Sequence, residues 1–576
     1  MADWANRWDM LLNISKTKVM LFGAPNQSLD VTIQDRPVEQ VPHFKYLGVW
    51  IDEHLSFTEQ ADYAASKATK AFSKVARLID GRKGISPQIG VMLYKCLVRP
   101  HLEFAVASWA CMKESSLQIL DRVQSRCLRT VLGAKAHAAA DAVDTIANVV
   151  PFRIRLQQIC TLEYARIMQR HVNCKIRLMM EESSLIRDTF TPMSYVKHQA
   201  RSLYFTENIA VEEVHNSTMA DILDDVVVTR LDVVGEGCSP LCSSLLVDRV
   251  ESFIDNHRKQ SIICFTDAAT SEAGAGMCSA ATIILPPDTE AKDMKVFEVI
   301  PRITDSIEAE ITVIAVAVEA ASELHRSSTV SGKKDSVIIF SDCKAAITIA
   351  IQRPHLTDYH EVIQRLRSGL QALKSQEVAV SVGWIPSHSG IVYNELADLA
   401  AKSALKKASV VSHGSVSLPA CKRLVTKQVN RRWQQRWNRS VTGRVSYSFI
   451  PQVGRNSFLP QDRCVAVSYV RLLLDDTTLK DHMHRCGLAD SRQCDCGLGI
   501  EDAFHFFFKC PAHDVNRSRL FSKIQEIASD GEKSYTVPTS VMLVLSPSRY
   551  DNFTQEQCQD ILSATFEYIQ LSGRRL

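Results

Sequence analysis

Four acidic residues and one histidine in the second half of the chain have the types and spacing that metal-ion chemistry requires. They are Asp267, Glu310, Asp342, His388 and Asp398. Carboxylates crowded at one point repel one another, so such a cluster is stable only with divalent cations between them. Two hard cations held by carboxylates are what in-line hydrolysis of a phosphodiester needs. The pattern therefore favours a metal-dependent nuclease.

The elements that must position these side chains follow from the hydrophobic pattern. Residues 261–267 and 336–342 are predicted strands, and each ends in one of the aspartates. The glutamate lies in a predicted helix that Ser306 can cap, and the histidine lies in a loop before a closing helix at 394–405. Strand ends and facing helices can bring together side chains that are far apart in sequence.

The remaining elements complete an α/β order of β-β-β-α-β-α-β-α between residues 256 and 408. Further strands are predicted at 277–285, 295–300 and 378–384. Further helices are predicted through Ile347 and at 362–370. This order predicts a mixed five-stranded sheet with flanking helices.

The motifs resemble a type 1 ribonuclease H domain, whose pattern is matched by Thr266-Asp267, Ala309-Glu310-Ile311, Ser341-Asp342, Pro386-x-His388 and Asn394-Glu-x-Ala-Asp398. The resemblance implies that the acids Asp267, Glu310, Asp342 and Asp398 bind two Mg²⁺ ions roughly 4 Å apart, with Mn²⁺ as an alternative. It also implies that His388 moves a proton or assists product release. The implied substrate is the RNA strand of an RNA–DNA hybrid, recognised through its 2′-hydroxyl groups.

Some positions near these motifs leave alternatives open. Glu308 competes with Glu310 for the role of metal ligand, and the family register Ala-Glu-Ile favours Glu310. The usual Gly-Ser after the first acid is Ala268-Ala269 here, and the usual Gly before Asn-Glu is Tyr393. None of these positions carries an acid, so metal binding is expected to survive. The missing hydroxyl and glycine weaken the expectation of hybrid binding near Ala268.

Residues 1–170 resemble the region that follows the polymerase active site of non-LTR retrotransposon reverse transcriptases. The resemblance rests on W-x3-L-N-x2-K-T from Trp8 and on F-K-Y-L-G from Phe44, followed by a helical region. The paired aspartates of a polymerase turn would lie before residue 1, so a truncated tail without DNA synthesis is expected. Residues 171–255 are interpreted as a connector.

Residues 409–480 are predicted to form a basic helical segment that binds nucleic acid, because no Asp or Glu occurs from 402 to 444. The candidate phosphate-binding residues are Lys422, Arg423, Arg431, Arg432 and Arg436. Trp433 and Trp437 are interleaved with them and lie on one helix face. Two interpretations fit these tryptophans: stacking on bases, or inward packing from a solvated amphipathic helix.

Residues 481–576 contain four zinc-ligand residue types at short spacing, C-x-C-x8-H-x4-C. They are Cys494, Cys496, His505 and Cys510. Such a set satisfies tetrahedral Zn²⁺, and its second half resembles the zinc knuckle of non-LTR retrotransposon proteins. Because C-x-C is tighter than the standard C-x2-C, buried thiols beside an aromatic core are the alternative. His482, His484 and Cys486 are near enough to be alternative ligands.

Composition bounds the class of protein. The chain has 576 residues, 17 scattered cysteines and a net charge of +3, which argues for several domains and reduced thiols. No apolar run approaches the roughly 18 residues of a spanning helix, and the N-terminus does not read as a signal peptide. We therefore expect an intracellular protein of the cytoplasm or nucleus, the C-terminal part of a retrotransposon polyprotein with ribonuclease H activity. The alternative is a non-catalytic nucleic-acid-binding remnant.

Overall fold

The computed structural model of the chain describes two compact units. The described residues are 5, 7–10, 12–23, 27–33, 36–79, 84–170, 173–183, 191–203, 228–231, 243–271, 277–287, 294–303, 305–327, 336–352, 359–407, 416–455, 458–529 and 540–576. The first unit comprises Met1–Cys160, Ile186–Tyr195 and Val429–Leu576, and the second comprises Thr161–Leu185 and Val196–Gln428. The N-terminal and C-terminal regions that the sequence separates therefore belong to the same unit.

The N-terminal part of the chain has short strands followed by helices, as its sequence pattern predicts. The strands are β1 (Lys18–Val19), β2 (Thr32–Ile33), β3 (Arg36–Pro37), β4 (Glu39–Gln40), β5 (His43–Tyr46) and β6 (Val49–Asp52). The helices are α1 (Thr58–Ile79), α2 (Pro87–Leu93), α3 (Arg99–Glu103), α4 (Glu114–Leu132), α5 (Ala140–Ile146), α6 (Phe152–Met168), α7 (Lys175–Glu182) and α8 (Pro192–Leu203). Only β1 and β4 pair in parallel among these strands; β2–β3 and β5–β6 are antiparallel pairs.

The rest of the chain alternates strands and helices and then becomes helical. The strands are β7 (Val228–Leu231), β8 (Ser261–Thr270), β9 (Met277–Leu285), β10 (Lys295–Ile303), β11 (Ser336–Ser341) and β12 (Ala379–Trp384). The helices are α9 (Ser243–His257), α10 (Ser306–Ser327), α11 (Lys344–Ile347), α12 (His360–Ser375), α13 (Val392–Lys407), α14 (Leu418–Arg439), α15 (Arg444–Phe449), α16 (Arg463–Leu474), α17 (Lys480–Arg485), α18 (Asp514–Ser529), α19 (Val541–Leu545) and α20 (Gln555–Leu571). Within the described ranges, no helix has both the length and the apolar character needed to cross a bilayer.

The second unit is organised around a mixed sheet with the strand order β10-β9-β8-β11-β12-β7. Strands β8, β9 and β10 form an antiparallel meander, and β8, β11, β12 and β7 are joined by parallel pairings. The five predicted strands are all present. A sixth, β7, comes from the region interpreted as a connector and pairs with β12.

Both faces of the central strands are buried, which explains their nearly continuous apolar sequences. In β8, Ile262 and Cys264 face one core, which helices α10 and α12 complete. Ile263 and Phe265 face the other, which contains Val250 of α9 and residues of α13. Helix α9 also comes from the predicted connector, so part of that region belongs to the core of the second unit.

Some element ends differ from the prediction. Strand β8 continues three residues beyond Asp267 to Thr270, because its partner β9 stays in register with it that far. Helix α10 begins at Ser306, but its cap is Asp305, whose Oδ1 accepts a hydrogen bond of 2.8 Å from the backbone N–H of Glu308. A carboxylate at this position satisfies one of the free N–H groups of the first turn.

The tryptophans of α14 pack inward. Trp433 is 2% exposed and Trp437 is fully buried. The indole N–H of Trp437 donates a 2.8 Å hydrogen bond to the carbonyl of Ile450, within the first unit. The inward-packing alternative is the correct one, since these rings form part of the hydrophobic interior.

Candidate functional site

The pairing of two parallel strands places Asp267 next to Asp342. Thr266 is opposite Ser341 in the register of β8 and β11, so the residues that follow each of them are also neighbours. Helix α10 packs on β8 and presents Glu310 from its second turn. One carboxylate oxygen of each of the three acids lies within 4.8 Å of the others. Three of the four predicted acids therefore form one group.

The backbone of β8 fixes two of these carboxylates. The N–H of Ala268 donates to Oδ1 of Asp267 at 2.7 Å and to Oε1 of Glu310 at 3.2 Å. The second oxygen of Glu310, Oε2, is buried and has no hydrogen-bond partner among the described residues. A buried carboxylate oxygen without a partner is costly unless a cation or a proton satisfies it.

The electrostatics of the three-acid group favour a bound cation. Burial, and then the charges of Asp342 and Asp398, raise the pKa of Asp267 to about 7. Burial, together with the charges of Asp267 and Asp342, raises the pKa of Glu310 well above its ordinary value. Without a cation, Asp267 and Glu310 therefore lose their protons less readily than isolated carboxyl groups do. Hard divalent cations prefer such carboxylate oxygens, so the residues present fit Mg²⁺ or Mn²⁺.

Glu308, the competing glutamate, lies apart from this group. It is 2% exposed, and its Oε2 accepts a hydrogen bond from the hydroxyl of Ser417.

The contacts that fix the first turn of α10 were not predicted from the sequence. Asp305 caps the helix with one oxygen and accepts a 2.8 Å hydrogen bond from the Tyr359 hydroxyl with the other. The position of an Asp directly before a predicted helix could have indicated that Asp305 caps it.

Asp398 and His388 form a second group with Glu395. The Nδ1 of His388 is 3.8 Å from a carboxylate oxygen of Glu395, and the three side chains offer ligand atoms within 4.8 Å of one another. Oδ2 of Asp398 accepts a 2.6 Å hydrogen bond from the ammonium of Lys402, one helical turn away. The charge of Asp398 nevertheless acts on Asp267. Sequence reasoning missed Lys402, although its i,i+4 spacing from Asp398 signals such a pair.

The loop that carries the histidine is open to solvent. The His388 side chain is 69% exposed, and its backbone has a φ of +49°, which is uncommon for a residue with a Cβ. Tyr393, where the family pattern has glycine, stacks on Phe265 with ring centroids 5.5 Å apart. The larger residue is thus accommodated by packing against the core. Ala269 is also buried, against Ala401.

The predicted zinc ligands lie together in the first unit. The Cys494 and Cys510 sulfurs are 3.8 Å apart, and the Cys496 sulfur is 3.2 Å from Nε2 of His505. All four ligand atoms lie within 4.8 Å of one another. Two thiolates that are each ~2.3 Å from a tetrahedral Zn²⁺ would be ~3.8 Å apart, so the spacing fits zinc.

The tight C-x-C turn is made by local backbone geometry. Gly497 follows it with a φ of +73°, and its N–H donates to the carbonyl of Cys494 at 2.9 Å. Burial raises the pKa of Cys494 to about 12, whereas the backbone N–H of Leu498 lowers the pKa of Cys496. Cys486 and His482 lie elsewhere, with 3.4 Å between the Cys486 sulfur and the Nε2 of His482.

The candidate nucleic-acid ligands of α14 have different surroundings. Arg436 forms a 2.8 Å ion pair with Asp141, and Arg432 is half-buried and donates to Gln157 at 3.0 Å. Arg423 and Arg431 are exposed, and Lys422 is half-buried. Arg436 therefore already has a carboxylate partner within the first unit.

Comparison with known proteins identifies the region that contains the acids. A profile of the RNase H family matches residues 259–406. The chain is similar to the RNA-directed DNA polymerase from mobile element jockey of Drosophila funebris, with 23% identity over 176 residues, 30% of this chain and 19% of the relative. It is also similar to the retrovirus-related Pol polyprotein from type-1 retrotransposable element R1 2 of Nasonia vitripennis, with 28% identity over 182 residues, 29% of this chain and 41% of the relative.

The chain is also similar to one solved structure. It is the N-terminal RNase H domain of a Mycobacterium tuberculosis protein, solved as a fusion with maltose binding protein. The match has 15% identity and a TM-score of 0.20, and covers 26% of this chain and 99% of that one. The chain spans less than half the length of each of the two curated relatives.

Proposed function

Because residues 259–406 are an RNase H domain in a chain that resembles the C-terminal region of non-LTR retrotransposon polyproteins, we propose that the second unit hydrolyses the RNA strand of RNA–DNA hybrids with divalent cations. The observation that carries the proposal is the group of buried Asp267 and Glu310 with half-buried Asp342, which includes a carboxylate oxygen without a hydrogen-bond partner among the described residues. Such a group is costly for the fold, and phosphodiester hydrolysis provides a reason for it.

The metal ligands in this proposal are Asp267, Glu310, Asp342 and Asp398, and Mg²⁺ or Mn²⁺ would supply Lewis-acid activation of water and of the phosphoryl group. The N–H of Ala268 orients two of these carboxylates. Any residue except proline provides this donor, so the replacement of the usual glycine retains it. Asp398 would exchange its ion pair with Lys402 for the cation, because one carboxylate oxygen cannot serve both fully.

In this proposal, His388 moves protons at the edge of the site. Its exposed imidazole lies beside Glu395, whose carboxylate would orient the ring. Proton transfer by such a positioned group contributes typically about 10²–10⁴-fold to a rate. The type 1 assignment of the domain rests on this loop and on the Asn394-to-Asp398 motif.

We further propose that Cys494, Cys496, His505 and Cys510 hold a structural Zn²⁺ in the first unit. The proposal is supported by the convergence of all four ligand atoms and by a sulfur–sulfur distance that suits tetrahedral coordination. A site closed by four protein ligands leaves no position for a substrate, so its role would be to hold the surrounding segment.

The test is cleavage of a labelled RNA–DNA hybrid by the full chain in Mg²⁺. Asp342→Asn removes a metal ligand with little change in volume, and Asp255→Asn on the exposed surface of α9 is its matched control. We expect cleavage by the parent and by Asp255→Asn, and at least a hundredfold loss in Asp342→Asn. Cleavage by Asp342→Asn at the parent rate would contradict the proposal.

A folded parent that binds the hybrid without cutting it would favour the non-catalytic remnant instead. In that case Ala268, Ala269 and Tyr393 are the first positions to restore to the family pattern. A hybrid with 2′-deoxy substitution at the cleavage positions is the substrate control for an active parent, which should leave it uncut because a ribonuclease H requires the 2′-hydroxyl groups.

A further inference from the structure

A second cluster of metal-ligand side chains lies in the first unit, apart from the four-ligand cysteine cluster. His137 lies in the turn between α4 and α5, Asp476 follows the end of α16, and His482 lies in α17. The two imidazoles and the carboxylate offer ligand atoms within 4.8 Å of one another. Segments far apart in sequence therefore meet at this point.

The distances in this cluster are those of ligands around an ion. Nε2 of His137 is 3.4 Å, and Nε2 of His482 is 3.3 Å, from the same oxygen of Asp476. Nitrogen and oxygen ligands that are each ~2.0–2.1 Å from a tetrahedral Zn²⁺ are ~3.3–3.4 Å apart. A hydrogen bond between these groups would be shorter, at about 2.9 Å. The cluster of ligand atoms within 4.8 Å of one another comprises these three side chains and does not include Cys486, whose sulfur contacts only Nε2 of His482, at 3.4 Å.

The central carboxylate is buried and only one of its two oxygens has a close cation. Asp476 is 3% exposed; the Lys135 ammonium lies 2.9 Å from its Oδ1, and its Oδ2 has no hydrogen-bond partner among the described residues. The buried Nδ1 of His482 also lacks a partner there.

Lys135 is the competing cation. Its ammonium lies 2.9 Å from the same oxygen of Asp476 and donates a hydrogen bond to the carbonyl of Thr477 at 3.2 Å. The ammonium compensates the charge of the Asp476 carboxylate, but it does not explain why two imidazole nitrogens lie close to the same carboxylate oxygen. A divalent ion satisfies the carboxylate and both imidazoles together.

We propose that His137, Asp476 and His482 form a second zinc site, which ties the turn between α4 and α5 to the segment that follows α16. Two imidazoles and a carboxylate are a set of three protein ligands that suits Zn²⁺. The site is independent of the hydrolysis proposed for the second unit, so its test does not depend on nuclease activity.

The experiment is a zinc count on the full chain after reloading with Zn²⁺ and desalting, by mass spectrometry of the metal. The test variant is His137→Ala, because His137 is 65% exposed and its loss leaves the core intact. The matched control is His101→Ala, which removes an exposed histidine from α3. We expect His137→Ala to contain one zinc fewer per chain than the parent and the control. Equal zinc content in the two variants would overturn the proposal.

A second variant tests the position of the ion. Lys135→Ala removes a positive charge that repels a cation bound to Asp476. We expect about tenfold tighter zinc binding in competition with a fluorescent chelator. Unchanged or weaker binding at the site that His137→Ala abolishes would exclude an ion at Asp476.

Discussion

Replacing Asp267 by Asn is expected to stabilise the metal-free second unit while abolishing its proposed activity. The folded-state pKa of Asp267 is raised from 3.8 to about 7 by burial and by the nearby acids. The folded state therefore holds the proton more tightly than the unfolded state, and the penalty for ionisation grows as the pH rises from about 4 to 7. Three pKa units at ~1.4 kcal/mol each give a penalty of ~4 kcal/mol at pH 8.

Asparagine removes this charge and keeps the side-chain volume. Its carbonyl can still accept from the N–H of Ala268, and its amide can donate to Asp342 or Glu310. We expect Asp267→Asn to raise the local free energy of unfolding in excess EDTA by ~4 kcal/mol at pH 8. At pH 5, only ~1 pKa unit above the unfolded value, the gain should be below ~2 kcal/mol.

Hydrogen exchange followed by mass spectrometry measures this quantity for peptides from β8 and β11 in the full chain. Asp255→Asn, on exposed α9, is the control for a lost surface charge. Mg²⁺ should protect the parent and not the variant, since the cation relieves the same repulsion. Equal protection of parent and Asp267→Asn at pH 8, or a gain that does not depend on pH, would refute this account of the acidic group.

Further predictions concern both units. Asp144→Asn should stabilise the first unit by up to ~4 kcal/mol at pH 8 and by little below pH 4 in urea unfolding, because burial raises the Asp144 pKa to about 7; a pH-independent effect would disprove this. Trp437→Ala should cost ~3–5 kcal/mol in the same assay, as for other buried tryptophans, with hybrid affinity per folded molecule unchanged. Cys510→Ser should lose one zinc and increase proteolysis near residues 494–510, and parent-like zinc content would exclude the cysteine site. His388→Ala should lower kcat about 10²-fold without changing stability, and an unchanged kcat would remove His388 from catalysis.

The acids that lie together could be predicted from the sequence because they follow from the local hydrophobic pattern and from the way parallel strands align their ends. Two apolar strands that each lead to an aspartate bring the acids together wherever those strands pair in parallel and in register, as β8 and β11 do. The register of Ala309-Glu310-Ile311 also separated Glu310 from Glu308, and the structure places only Glu310 with Asp267 and Asp342. The four zinc-ligand candidates came from residue type, spacing and the resemblance to a zinc knuckle, and the structure brings them together.

The features that the sequence missed depend on contacts between distant segments or on which face of an element is covered. Trp433 and Trp437 lie on one helix face in either interpretation, and periodicity does not state whether that face meets solvent or a core. Asp305 and Ser306 are both suitable helix caps by residue type, so the Tyr359 hydroxyl that engages Asp305 had no local signal. The ion pair of Asp398 with Lys402 was readable from spacing and was overlooked.

The added strand β7 determines where a fragment that contains the RNase H domain should begin. The family profile begins at residue 259, yet β7 pairs along β12 and α9 contributes Val250 and Ile254 to the core. A fragment that starts at 259 would leave the backbone N–H and C=O groups of β12 unpaired and would expose apolar surface where α9 packed. Such an edge readily pairs with other chains, so this fragment is expected to aggregate. A fragment that starts before Val228 retains the covering strand and should remain monodisperse.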